Sequence, residues 1–202
     1  MNIALIGPNG AGKSTLLATL LKLQTHIIPF SFSNYAILSS KRRLPKYLRV
    51  GKHEVVRERI IDVKLKWGTA FDRSLFGEAE NYLLDEVFLT KVLACAPASN
   101  SLMVSFRQEF EKLIEEIKHQ EQSYVDAYIY VRPSEVRWKA NISNRPSKAT
   151  SGNHNLSKFL TQISCTDYFI STLVATPYTV VQDVDLDGAN KVKEFLEATF
   201  KK

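Results

Sequence analysis

Apolar positions along this 202-residue chain fall into two alternating patterns. Short runs without helical period read as strands: "NIALI" at 2–6, "HIIPF" at 26–30, "GTAFD" at 68–72, "YVDAYIYV" at 124–131 and "YTVVQDV" at 178–184. Between them, apolar residues return every three or four positions, as on one face of a helix. "STLLATLLKL" follows the first run; "KHEVVRERIIDVKLKW" repeats through Val56, Ile60 and Val63; "FRQEFEKLIEEIKHQ" aligns Phe106, Phe110, Leu113, Ile114 and Ile117. "ANKVKEFLEATF" closes the chain as an amphipathic helix with Asp187 as its expected N-cap. "FGEAENYLLDEVFLTKVL" at 76–93 also has helical period, which places Asp85 and Glu86 on a helix surface. Strands alternating with helices predict an α/β fold, a five-stranded parallel sheet covered on both faces. The expected organisation is one domain over 1–202, with an insertion at 31–67 and a lid at 133–155 that includes the loop-like "RPSKATSGNHN".

Composition narrows the class without naming a chemistry. Hydrophobic residues at 45% and charged residues at 24% are ordinary for a globular domain. Cys95 and Cys165 lie far apart with no metal-type spacing, which predicts a reducing compartment rather than a disulfide framework. The chain opens directly into a strand and has no apolar run near the ~20 residues that span a bilayer. A cytoplasmic protein with no membrane partner is expected. The net charge of +6 is concentrated: residues 41–66 carry ten Lys or Arg against Glu54, Glu58 and Asp62, leaving −1 on the rest. Such a patch implies an anionic partner, either a phosphorylated small molecule or nucleic acid, with the small molecule favoured. A solvated helix face is the bland alternative.

The strongest chemical signal is "GPNGAGKST" at 7–15, which fits G-x-x-x-x-G-K-[ST] in full. A strand precedes it and a helix follows it, the context that makes this pattern a phosphate loop. Gly7, Pro8, Asn9, Gly10, Ala11 and Gly12 are expected to form the cradle, the glycines letting backbone N–H groups turn inward around an anion, and the helix N-terminus adds its dipole. Lys13 is expected on the β- and γ-phosphates, Ser14 on Mg²⁺, and Thr15 within the same cradle. The chain is therefore expected to bind ATP with Mg²⁺. The same loop occurs in transporter ATPases, but those need a Leu-Ser-Gly-Gly-Gln-type signature before a hydrophobic run ending in Asp-Glu. "NYLLDE" at 81–86 imitates the second element with no signature ahead of it.

A second group fits better. "AFDRSLFGEAENY" resembles the Asp-Arg element that ends the third strand of thymidylate kinases, and the Gly-Glu that follows it in bacteriophage relatives. "YIYVRPSEVRWKANISNR" is similar to the strand, Pro-Glu helix and arginine-bearing lid of that P-loop nucleoside and nucleotide kinase family, and "VVQDVDLDGANKVKEFL" to its final strand and helix. The resemblance leaves 30–67 and 85–123 unmatched. It implies a fold of the nucleoside monophosphate kinase type, Asp72 on the metal, Arg73 on the acceptor's phosphate, and lid arginines Arg137 and Arg145 near the transferring group. Arg145 is the better match of the two, since Ala140 and Asn141 stand near a usual arginine. It also implies Asp185 near the donor adenine, and a homodimer.

On the acceptor side, "PFSFSNY" after the second strand has no carboxylate. A hydroxyl acceptor benefits from a general base. A monophosphate is mostly a dianion at neutral pH and needs none. The resemblance to thymidylate kinases departs here too, because their Arg-Glu-Pro-like element is missing; Arg42 and Arg43 are candidate substitutes. Phe30, Phe32 and Tyr35 are candidate stacking partners for the acceptor base, with core packing the alternative. Glu78 and Tyr82, on the helix expected after Arg73, are further contacts. The expected reaction is transfer of the ATP γ-phosphoryl group to a deoxynucleoside monophosphate. The alternatives are a kinase for a hydroxyl of a nucleoside or of a modified base in DNA, and a nucleotide-dependent switch ATPase. "DVDLDGANKVKE" at 183–194 also fits a calcium-loop pattern, but a strand rather than a helix enters it, so a strand-to-helix turn is expected.

Overall fold

The computed structural model of the chain describes residues 1–23, 25–30, 81–85, 87–97, 100–144 and 155–200. β1 (Asn2–Ile6) is buried at every position. A strand apolar on both faces needs cover on both sides, which the middle of a parallel sheet supplies. It occupies that place: β2 (Ile28–Phe30), β3 (Tyr82–Leu84), β4 (Ala127–Val131) and β5 (Tyr178–Val181) complete a five-stranded sheet in the order β2-β3-β1-β4-β5, with every pairing parallel. All five carboxyl ends therefore point to one edge, where ligands bind in such sheets.

Side-chain alternation divides the core in two. On one face Ala4, Ile6, Leu84, Tyr128 and Tyr130 pack under α2 (Phe88–Ala94), α3 (Asn100–Gln122) and α5 (Leu156–Ser171). On the other, Ile3, Leu5, Leu83 and Ile129 pack under α1 (Lys13–Lys22) and α6 (Leu186–Phe200). A smaller cluster of Trp138, Phe159 and Ile163 fastens α4 (Glu135–Ser143) onto α5. The stripe read from α3 is buried through Phe106, Phe110, Ile114 and Ile117, with Leu113 partly buried. Cys95 and Cys165 are buried and not joined in a disulfide, and burial pushes the Cys165 thiol up to about 12.

Two expectations are corrected. The helical period read across 76–93 breaks at Tyr82–Leu84, which is the sheet's third strand; a helix begins only at Phe88. Three residues are too few for a period to decide, and pairing with β1 and β2 on both sides overrides the spacing. Asp85 therefore leaves the end of a strand instead of lying on a helix surface. Asp187 is not the cap of the last helix either. It sits in the first turn, while the Asp185 carboxylate accepts from the Gly188 N–H at 3.1 Å and the Asp185 carbonyl from Ala189. The segment ahead is β5, so the calcium-like pattern is the expected strand-to-helix turn.

Glu121, at the end of α3, is fully buried. Its carboxylate accepts from the Leu89 N–H in the first turn of α2 and from the Tyr128 hydroxyl at 2.7 Å. The Tyr124 hydroxyl accepts from the Phe88 N–H at 3.3 Å. Two of the N–H groups that a helix start leaves without intrahelical partners are satisfied this way. Burial pushes the Glu121 carboxyl up to about 7, against the lowering effect of the two hydrogen bonds.

Candidate active site

Between β1 and α1 the chain makes the tight turn that its glycines permit. Gly7 has φ 144°, and a Cβ there would run into the Val131 carbonyl oxygen. Gly12 has φ 95° and serves as the left-handed N-cap of α1, a conformation that costs a glycine little. The backbone from Asn9 to Thr15 lines a cavity of about 260 Å³. That is below the range of pockets that swallow a whole drug-sized ligand and is suited to a phosphate chain. Lys13 Nζ donates to the Gly7 carbonyl at 2.8 Å and to the Pro8 carbonyl at 3.1 Å, so its ammonium lies across the start of the loop. Ser14 and Thr15 are exposed in the first turn of α1. A helix N-terminus and an ammonium beside one cavity suit an anion.

The outside of the loop is held by residues from far along the chain. Trp138 Nε1 donates to the Asn9 carbonyl at 2.8 Å, and Asn141 Nδ2 to the Gly10 carbonyl at 3.1 Å. Trp138 also stacks on Phe159, with ring centroids 4.4 Å apart. Gln162 Oε1 accepts from the Asn9 N–H at 3.2 Å. The Ala11 N–H closes the turn onto the Pro8 carbonyl at 3.1 Å. Sequence reasoning missed Trp138, Asn141 and Gln162; the partners are more than a hundred positions apart and share no local signal.

Asp85 reaches the same edge. It follows Leu84, which is in register with Ala4 of β1, and its N–H donates to the Phe30 carbonyl at 3.3 Å. Its Oδ1 is shut off from solvent. An exposed serine hydroxyl and a strand-end carboxylate are hard oxygen donors, which suits Mg²⁺. Among the described residues no group of three or more His, Cys, Asp or Glu gathers, here or elsewhere. A sparse protein donor set is what Mg²⁺ uses when phosphates and water supply the remaining positions.

The other expected site residues divide by position. Phe30 ends β2 at the carboxyl edge, half-buried and edge-on to Tyr82 at 6.3 Å. Tyr82 itself, expected on a helix, starts β3 and is in register with Asn2, at the opposite end of the sheet from the phosphate loop. Arg137 lies on α4 with Nε 3.6 Å from Asp183 Oδ1, so it is turned toward the loop after β5. Asp185 caps α6 beside that loop. Arg132, just past β4, makes a two-pronged bond to Asp167, 2.8 Å on each arm, and Tyr130 donates to the same carboxylate at 2.9 Å. The Asp167 partner raises the Arg132 pKa. Phe32, Tyr35, Arg42, Arg43, Asp72, Arg73, Glu78 and Arg145 lie outside the described residues, as do the strand at 68–72, the whole insertion at 31–67 and the later part of the lid.

No family model matches the chain, and no curated protein matches it. Solved structures do. Deoxyadenosine kinase from M. mycoides with bound dATP superposes with a TM-score of 0.57 at 18% identity, covering 100% of both chains. The same kinase with bound dCTP gives 0.56 at 17% identity over 98% of this chain and 100% of the other. With the products dCMP and a flexible dCDP bound, it gives 0.54 at 17% identity over 100% of both. This chain shares their fold, an α/β P-loop architecture. Among the described residues no helix is long and apolar enough to cross a membrane.

Proposed function

We propose that this chain is an ATP-dependent kinase that transfers the γ-phosphoryl group to a deoxynucleoside monophosphate of the thymidylate type. The observation that carries the reading is the meeting of a complete phosphate loop and the Asp85 carboxylate at one edge of a sheet ordered β2-β3-β1-β4-β5. The fold shared with deoxyadenosine kinase supports phosphoryl transfer to a nucleoside or nucleotide.

Such a reaction needs positioning and charge neutralisation more than covalent chemistry. The loop amides and the α1 N-terminus bind the donor's phosphates. Lys13 moves its ammonium from the Gly7 and Pro8 carbonyls onto the transferring group. Mg²⁺ would be held by Ser14 and Asp85, and bound there it neutralises charge on the donor phosphates. Asp72 is the expectation from sequence for the metal role; the place of Asp85 just past the end of β3 supports its own assignment to that role. Arg73, Arg42 and Arg43 are proposed for the acceptor's phosphate, and Arg145 for the transferring group. Phe30 stands where the acceptor base would stack. Two buried cysteines not joined in a disulfide are in keeping with a reducing cytoplasm.

The second reading is a nucleoside kinase, favoured by the neighbours' deoxyadenosine kinase fold and by a carboxylate at the strand end that can serve as general base. ADP formation from Mg·ATP, with each nucleoside monophosphate and each nucleoside offered separately, decides between them. Stimulation by a monophosphate supports the first reading. Stimulation only by a nucleoside replaces it with the second. Hydrolysis indifferent to every acceptor overturns both.

A further inference from the structure

Gln162 lies in the middle of α5, is 3% exposed, and makes no contact with the cavity. Both ends of its amide are spent on backbone. Oε1 accepts from the Asn9 N–H of the phosphate loop at 3.2 Å, and Nε2 donates to the Leu93 carbonyl in the last turn of α2 at 3.0 Å. One turn earlier on α5, Lys158 Nζ donates to the adjacent Ala94 carbonyl at 3.0 Å. At its other end α2 starts three residues after Asp85, and its first N–H groups are held by Glu121 and Tyr124. With seven residues, α2 is a strut about 10 Å long. A closed circuit results: phosphate loop, Gln162, α2, Asp85, β3, and back through β1 to the loop.

We propose that Gln162 is a positioning residue that sets the distance between the phosphate loop and Asp85, and so couples nucleotide binding to the metal site. It rests on the reading of those two elements as the donor and Mg²⁺ sites. An amide fits because one side must accept and the other donate; a carboxylate lacks the donor and an aliphatic chain lacks both. A buried polar side chain bridging two rigid elements carries such coupling, since packed elements shift as units and do not deform continuously.

The test compares Gln162→Met and Gln162→Glu with the parent chain by titration calorimetry of ADP with and without Mg²⁺. In the parent, Mg²⁺ is expected to tighten ADP binding, and an affinity indifferent to Mg²⁺ overturns the coupling. Both variants are expected to retain ADP binding without metal and to lose about fivefold or more of the tightening, the scale of a typical coupling between sites. A purely structural residue lowers the unfolding midpoint and leaves that ratio unchanged, which would overturn the proposal. A parent chain that binds no ADP overturns the donor-site reading itself, and the inference with it. Should the variants not fold, amide exchange in the parent decides: Mg·ADP is expected to slow exchange in the last turn of α2, at 91–94, and unchanged rates there overturn the coupling.

Discussion

Glu121 offers a test of the fold that does not depend on any ligand. Its carboxyl is wholly buried and its pKa rises from 4.5 to about 7. Between those values the folded chain keeps a proton that the unfolded chain has released, so folding is penalised increasingly as pH rises. The contribution is most favourable below about pH 4.5 and is lost as pH passes about 7. The rise amounts to about 3 kcal/mol once complete. Glu121→Gln removes the ionisation while keeping the shape: its Oε1 can accept from the Leu89 N–H, and its Nε2 can donate to the Tyr128 hydroxyl. Urea unfolding at pH 5 and pH 8, extrapolated linearly, isolates the effect as a difference between the two proteins, since other titrating groups are shared. We expect near-equal stability at pH 5 and a variant more stable by about 3 kcal/mol at pH 8. A difference that stays flat across that range, or a variant weaker at pH 8, would refute the account of a carboxylate charged against its surroundings.

The remaining predictions concern the site. Lys13→Ala is expected to lower kcat about 100-fold or more, as loss of a transition-state donor does, with the unfolding midpoint little changed. Asp85→Asn is expected to weaken Mg²⁺ dependence and cut turnover on the order of 100-fold, whereas Asp72→Asn is expected to cost far less. Equal losses, read from Mg²⁺ titrations of both variants, would return the metal role to Asp72. Gly10→Ala forces a Cβ to within 2.9 Å of Trp138 Nε1 at φ 88°. A destabilisation of about 1–3 kcal/mol follows from that strain, measurable by thermal unfolding and accompanied by weaker ADP binding.

The parts of this fold legible in the sequence are those whose signal is local. The phosphate loop shows because its glycines, lysine and serine stand together between a strand and a helix. α3 shows because a long helix repeats its buried stripe through Phe106, Phe110, Ile114 and Ile117. β3 does not show, because Tyr82-Leu83-Leu84 is as apolar as a helix face and its identity comes from ladders to β1 and β2. That reading left Asp85 on a helix surface and so out of the candidate site. The hydrophobic run ending in Asp85 was visible, but its flanks obscured the strand. Trp138, Asn141 and Gln162 were illegible for another reason: a hydrogen bond from α4 or α5 to the loop leaves no trace in spacing, composition or charge.

β2 has one feature whose consequence reaches beyond the site. The Ile28 N–H donates to the Asn81 carbonyl at 2.7 Å and the Phe30 carbonyl accepts from Asp85 at 3.3 Å, so residues 28 and 30 turn their backbone groups inward to β3. Pro29, between them, faces the other way and has no N–H to present. Among the described residues β2 is flanked by β3 alone. A foreign strand laid along it would meet a missing donor at its centre, on a strand only three residues long. Open sheet borders invite uncontrolled growth by strand addition. Among the described residues, that ring nitrogen leaves the side of β2 away from β3 without a central donor, at no cost to the native ladder.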